Sequence, residues 1–119
     1  AVATINAAVN CRTSRVIYCI TCTKPRCRSQ YCGKTVSEFR HRMYQHRVSV
    51  TGTDGKTGPN LEKAVGAHFN GPGHKVSDMS VTILEKVWNK DPMFLAVREE
   101  FWIKKMNTKH KGINRYKGG

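Results

Sequence analysis

Two cysteines and two histidines, set far apart along the chain, constrain its fold more than any other feature. Cys22 and Cys27 are spaced C-x4-C, and His68 and His74 are spaced H-x5-H around the tight loop "HFNGPGH". Thiolate and imidazole pairs at such spacings hold structural zinc ions. Forty residues separate the pairs, too many for a compact finger, so an ion would clamp a hairpin turn onto a distant loop. Two buried thiols and two loop histidines without a metal are the competing arrangement. The five cysteines, Cys11, Cys19, Cys22, Cys27 and Cys32, cannot all pair within one chain, which favours a metal over a disulfide framework. Cys19 lies three residues from Cys22, on the opposite face of a strand, and is a poor co-ligand. Cys11 and Cys32 read as plain thiols.

A length of 119 residues fits one domain with a modest core, a size at which a staple helps. No apolar run approaches the length of a membrane span, so the expectation is a soluble chain. The start lacks both an initiator Met and a signal peptide, and reads as a piece of a longer polypeptide. Lys and Arg outnumber Asp and Glu 21 to 8, for a formal charge of +13 spread along the whole chain. Such a domain meets a polyanion, with nucleic acid ahead of acidic proteins or membranes, since no basic amphipathic helix is evident.

Residues 16–22, "VIYCITC", and 29–34, "SQYCGK", flank the turn-prone "TKPRCR" and predict a β-hairpin. Residues 36–50 fit a helix with Phe39, Met43, His46 and Val50 inward and Arg42 at the stripe's edge. A mobile loop is expected at 51–59, followed by a short helix from Asn60, as its cap, to about Phe69. Residues 79–87 suit a strand covered on both faces. A third helix is expected at 93–107, then a basic tail containing Asn114.

That third helix places Leu95, Glu99, Trp102, Ile103 and Met106 on one face, with Glu100 and Lys104 on the other. A carboxylate in an apolar stripe is costly to bury, so Glu99 is paired with a cation, bound to a metal, or at a cleft edge. By the same logic, His46 is either a satisfied core histidine or part of a site.

The motifs "VIY" (16–18), "YCGKT" (31–35), a helix with Phe39, Arg42 and His46, and "REEFWIKKMNTKHKGIN" (98–114) resemble in order those of the GIY-YIG nucleases. The resemblance runs from about Val16 to Asn114, departing where Val16 replaces Gly and Cys32 replaces Ile. It implies metal-dependent hydrolysis of DNA phosphodiesters. Tyr18 and Tyr31 would be the paired tyrosines, Tyr18 helping to activate water. Arg42 would hold the scissile phosphate. Glu99 would ligate one Mg²⁺ or Mn²⁺ ion. His46 would assist proton transfer or hydrogen-bond a tyrosine, and Asn114 would bridge the helix to the site. Lys34, Thr35, Arg40 and Arg47 would touch the DNA.

Cysteines between the two tyrosine motifs, with "HFNGPGHKVSDMSVTILEKV" and "REEFWIKKMNT", further resemble the nuclease domain of Penelope-like retroelements. That implies a reverse transcriptase in the same parent chain, action in the nucleus, and nicking of host DNA to expose a 3′-hydroxyl primer. The expected organisation is an N-terminal extension at 1–15 and the nuclease-like domain at 16–119. The expected fold is a mixed α/β (α+β) domain, a small three-stranded antiparallel sheet flanked by helices and stapled by zinc. Two alternatives stand: a non-catalytic, zinc-stapled nucleic-acid-binding module, and a repair or homing nuclease of the same fold.

Overall fold

A computed structural model describes residues 3–4, 10–53, 58–108 and 112–114. Residues 54–57 of the expected mobile loop, and the expected basic tail apart from 112–114, lie outside them. The elements are β1 (Ala3–Thr4), β2 (Val16–Cys22), β3 (Gln30–Thr35), α1 (Phe39–Thr51), α2 (Ala64–His68), a 3₁₀ turn at Val76–Asp78, β4 (Met79–Lys86) and α3 (Pro92–Met106).

The β-branched and aromatic run of β2 forms the centre of the sheet. It pairs antiparallel with β3 on one side and β4 on the other, the three strands expected from sequence. Two residues of β1 add a short parallel pairing to β4, giving the order β1-β4-β2-β3. One face of the sheet, carrying Tyr18, Ile20, Tyr31 and Ile83, is buried against Phe39 and Met43 of α1 and Val65 of α2. On the other, Ile17 and Leu84 meet Val87, Leu95 and Trp102. Each fully buried side chain of this size contributes about 1.5–3 kcal/mol. Among the described residues, no helix is long and apolar enough to cross a membrane.

Element ends follow from local hydrogen bonds. α1 starts later than periodicity suggests because Thr35 and Ser37 close a turn, with Ser37 N donating to Thr35 Oγ1 at 3.1 Å. No side chain caps α1; Phe39 N and Arg40 N donate to the carbonyls of Thr13 and Cys11 at 2.9 and 2.7 Å. Residues 10–15 are therefore tied into the domain. Asn60 does not cap α2 as expected: its side chain accepts from Glu62 N at 3.1 Å in a preceding turn, and the helix begins at Ala64. In α3, Asp91 caps Met93 N at 2.9 Å, Pro92 takes the first turn, and Asn107 ends the helix in the left-handed region with φ 53°.

The outer edge of β3 is closed by the segment at 112–114. Ile113 N donates to Gln30 O at 2.7 Å. Asn114 uses both ends of its amide on Cys32, accepting from Cys32 N and donating to Cys32 O, each at 2.8 Å. This mimics one rung of a strand and covers the edge at Gln30 and Cys32.

Gly33 faces Tyr18 across the β2–β3 pair, and a Cβ at Gly33 would lie 2.5 Å from the Tyr18 hydroxyl and 2.9 Å from the Tyr31 ring. Gly33→Ala is therefore expected to overpack this point at a cost of about 1–3 kcal/mol. A thermal melt should show Tm lower by roughly 5 °C or more; an unchanged Tm would mean that the tyrosine ring is not held against the strand.

Candidate active site

The face of the sheet beneath α1 gathers four polar side chains expected to act together. Tyr18 comes from the middle of β2 and Tyr31 from the start of β3, both pointing at α1 by strand alternation. Arg42 and His46 are one turn apart on α1 and so share the face that meets them. The Tyr18 hydroxyl lies 2.5 Å from His46 Nε2, and Arg42 Nε donates to the Tyr18 oxygen at 3.1 Å. The His46 ring sits edge-on to both tyrosines, with centroids 5.5 and 5.4 Å away. His46 is thus buried and bonded to a tyrosine hydroxyl.

Burial sets the charge states. Desolvation, reinforced by the cation of Arg42, pulls His46 from its ordinary 6.5 down to about 3. Desolvation pushes Tyr18 well above the usual phenol range, with Tyr31 and Glu99 adding to the rise and Arg42 opposing it. Tyr31 is raised for the same first reason. In the tautomer that carries its proton on Nδ1, His46 accepts at Nε2 from the Tyr18 hydroxyl, which in turn accepts from Arg42. The phenol thus has an imidazole nitrogen on one side and, on the other, a cation that would stabilise a phenolate.

Glu99 reaches this region from α3, the layer on the opposite face of the sheet. It is 4% exposed. Lys34 Nζ, from the α3-facing side of β3, donates to its Oε1 at 3.1 Å. Glu99 Oε2 is buried with no hydrogen-bond partner. A lone buried carboxylate oxygen is costly and suits a cation. Glu100 lies on a different side of α3, 3.9 Å from Lys104.

The other expected residues are distributed as follows. Asn114 is spent on the backbone of Cys32 and positions β3 rather than touching the tyrosine cluster. Thr35 is buried in the turn before α1. Arg40 is exposed and paired with Glu38 at 2.8 Å, and Arg47 is exposed on α1. The pairing of Lys34 with Glu99 was not anticipated. Strand parity places Lys34 on the α3 side of β3 and was the available signal.

At the other end of β2, Cys22, Cys27, His68 and His74 offer ligand atoms all within 4.8 Å of one another. A tetrahedral zinc with two sulfur ligands sets those atoms about 3.8 Å apart, so small movements would close the set. Cys27 Sγ lies 3.4 Å from His68 Nε2. His74 donates from Nδ1 to Pro72 O at 3.1 Å, which leaves its buried Nε2 unpartnered and free to ligate. Burial pushes the Cys27 thiol up, but hydrogen bonding led by Ser29 outweighs it and holds the group at about 7. This donor set could hold a metal ion. Cys19 instead pairs in register with Cys32, as strand alternation required.

No family model and no curated protein matches the sequence. Among solved structures, the chain is similar to the catalytic domain of the intron endonuclease I-TevI in a Glu-to-Ala mutant. The TM-score is 0.64 at 24% identity, covering 90% of this chain and 98% of that one. The chain therefore has the fold of that catalytic domain, the fold anticipated from its tyrosine motifs.

The depressed His46 yields a test by pH. Its folded value lies below the unfolded one, so the unfolded chain binds more protons between about 6.5 and 3, and stability falls as pH drops through that window. Denaturant unfolding of the parent should lose up to about 1.4 kcal/mol per pH unit more than His46→Gln below pH 6.5. Equal slopes would show that His46 titrates normally.

Proposed function

We propose that the domain is a metal-dependent DNA endonuclease of the GIY-YIG type, with Tyr18, Tyr31, Arg42, His46 and Glu99 as its working residues. The observation that carries this reading is the unpartnered, buried Oε2 of Glu99 on a fold shared with a nuclease catalytic domain. Its charge is felt by both tyrosines, so the carboxylate and the phenols belong to one electrostatic site. Glu99 would hold Mg²⁺ or Mn²⁺ through that oxygen, a hard donor suited to a hard cation that keeps several waters. A bound divalent ion supplies Lewis-acid polarisation of the phosphodiester and neutralises charge on the leaving oxygen.

This chain's own residues supply the rest. In the free domain the proton stays on Tyr18, because the phenol is raised well above its ordinary 10 while His46 is held near 3. A cation at Glu99 would offset the smallest of the causes that raise the phenol, and His46 Nε2, 2.5 Å away, is the group placed to share the Tyr18 proton as it leaves. The resulting phenolate, held by Arg42, would take a proton from the attacking water. The Arg42 guanidinium also steadies charge on the phosphate, and Lys34 is placed to pair with the backbone once a cation relieves it of Glu99.

Cys22, Cys27, His68 and His74 are assigned to structural zinc. The retroelement-like motifs favour a nick that exposes a 3′-hydroxyl primer, nuclear action on host DNA, and a reverse transcriptase in the same parent chain. The ion pair between Lys34 and Glu99 favours a second reading, a zinc-stapled nucleic-acid-binding module in which the carboxylate is structural.

Elemental analysis should find one tightly held zinc per chain, absent from Cys27→Ser and His74→Ala. Because binding free energy at such a site is folding free energy, those variants should melt more than about 10 °C lower. Metal-free protein with the parent's Tm would remove zinc from the structural role.

Two adjacent glutamates separate enzyme from module. Glu99→Gln should keep the fold and DNA binding yet lose nicking of supercoiled plasmid in Mg²⁺ by at least about a hundredfold, the scale of losing a metal-centred term of a few kcal/mol. Glu100→Gln should nick like the parent. Normal cutting by Glu99→Gln, or no cutting by the parent with Mg²⁺ or Mn²⁺, would give the protein to the binding-module reading.

A further inference from the structure

We infer that the outward side of α3, with the loop before it, is a landing surface for single-stranded nucleic acid. α3 is apolar on two sides. Leu95, Glu99 and Ile103 are buried, whereas Met93, Val97 and Phe101, spaced four apart, and Phe94 point away at 69%, 55%, 41% and 43% exposure. Trp88, just ahead of the helix, is 76% exposed. An uncovered second stripe with this aromatic content marks a binding surface rather than a solvated helix face.

The chemistry around the stripe identifies its occupant. Lys86 Nζ sits 5.1 Å from the Trp88 ring centre, and Arg98 and Lys105 sit 4.4 and 5.6 Å from that of Phe101. The carboxylates nearby are already answered: Glu85 by Arg98 at 2.7 Å, Glu100 by Lys104 at 3.9 Å, and Asp91 by the amide it caps. Lys90 and Lys105 remain without an acidic partner, along with Lys86, whose Nζ donates to Ser14 O, and Arg15, which donates to Asn89 O at 2.6 Å and has a buried Nε without a partner. A second copy of a chain of charge +13 would press these cations against their equivalents. A polyanion relieves them.

Aromatic rings alternating with cations are the arrangement on which unpaired bases stack while phosphates meet the charges. The Trp88 ring, with Lys86 over one face, still offers the other to a base, and the cations beside Phe101 meet the phosphates. Bases in a duplex are already stacked, so the fit is to a single strand. The surface lies on the side of α3 away from Glu99 and deepens the proposed nuclease reading by naming a second part of its substrate, a single strand beside the cut.

Binding rather than cleavage reads out the inference, in a Glu99→Gln background without divalent metal. A short oligodeoxythymidylate carrying a fluorescein label should bind saturably by fluorescence anisotropy. The exposed pair Trp88→Ala and Phe101→Ala, with unchanged Tm, should weaken that binding at least about tenfold while duplex of equal length binds within about threefold of the parent. Unchanged single-strand affinity in the double variant overturns the inference. So does a parent that sediments as a dimer and becomes monomeric on these substitutions, which would assign the face to self-association. A parent that cannot cut DNA, yet binds single strands through these rings, would fail the nuclease reading and leave this one standing.

Discussion

Everything at the candidate site depends on the approach of Tyr18 to Gly33. The two are partners across β2 and β3, and the absent side chain lets the phenol lie over the neighbouring strand toward the sheet's outer edge. A Cβ there would displace the hydroxyl that contacts His46 and Arg42. Tyr31, two residues before Gly33 on the same face, packs beside it with ring centroids 6.3 Å apart. The helix supplies its two polar groups at one-turn spacing, so a single glycine sets whether strand and helix chemistry meet.

Burial that would be only a cost elsewhere organises charge here. The same desolvation drives Tyr18 and His46 in opposite directions, which holds both neutral. Glu99 approaches from the other layer and adds a negative field that both phenols feel. Lys34 answers one of its oxygens and leaves the other bare. A site in which every group was satisfied would be more stable.

Much of this was legible in the sequence because it rests on short-range periodicity. The hairpin, the inward stripe of α1, the buried position of Glu99 and the convergence of the two Cys/His pairs all follow from spacing. What escaped depended on long-range backbone contacts. The cap of α1 is made by carbonyls of Cys11 and Thr13, which no propensity announces, so residues 10–15 looked like an extension. Asn114 was expected to bridge a helix to the site, yet its amide reads backbone, and only the path of the chain past β3 reveals that. Asn60 and Thr35 have side chains that serve turns, a choice that propensity alone does not decide.

The Cys/His cluster and the tyrosine site are coupled through packing. Cys22 ends the strand that carries Tyr18, and His68 ends α2. α2 rests on the end of α1 at Gly66, where a Cβ would meet the Ser49 carbonyl at 2.6 Å. An ion that drew Cys22 and Cys27 toward His68 and His74 would therefore pull β2 and α1 together through α2. Those two elements hold the hydroxyl and imidazole only 2.5 Å apart, a separation at which a shift of an ångström breaks the hydrogen bond. In a domain with a small core, packing of this kind between β2, α2 and α1 sets the separation of hydroxyl and imidazole from a distance.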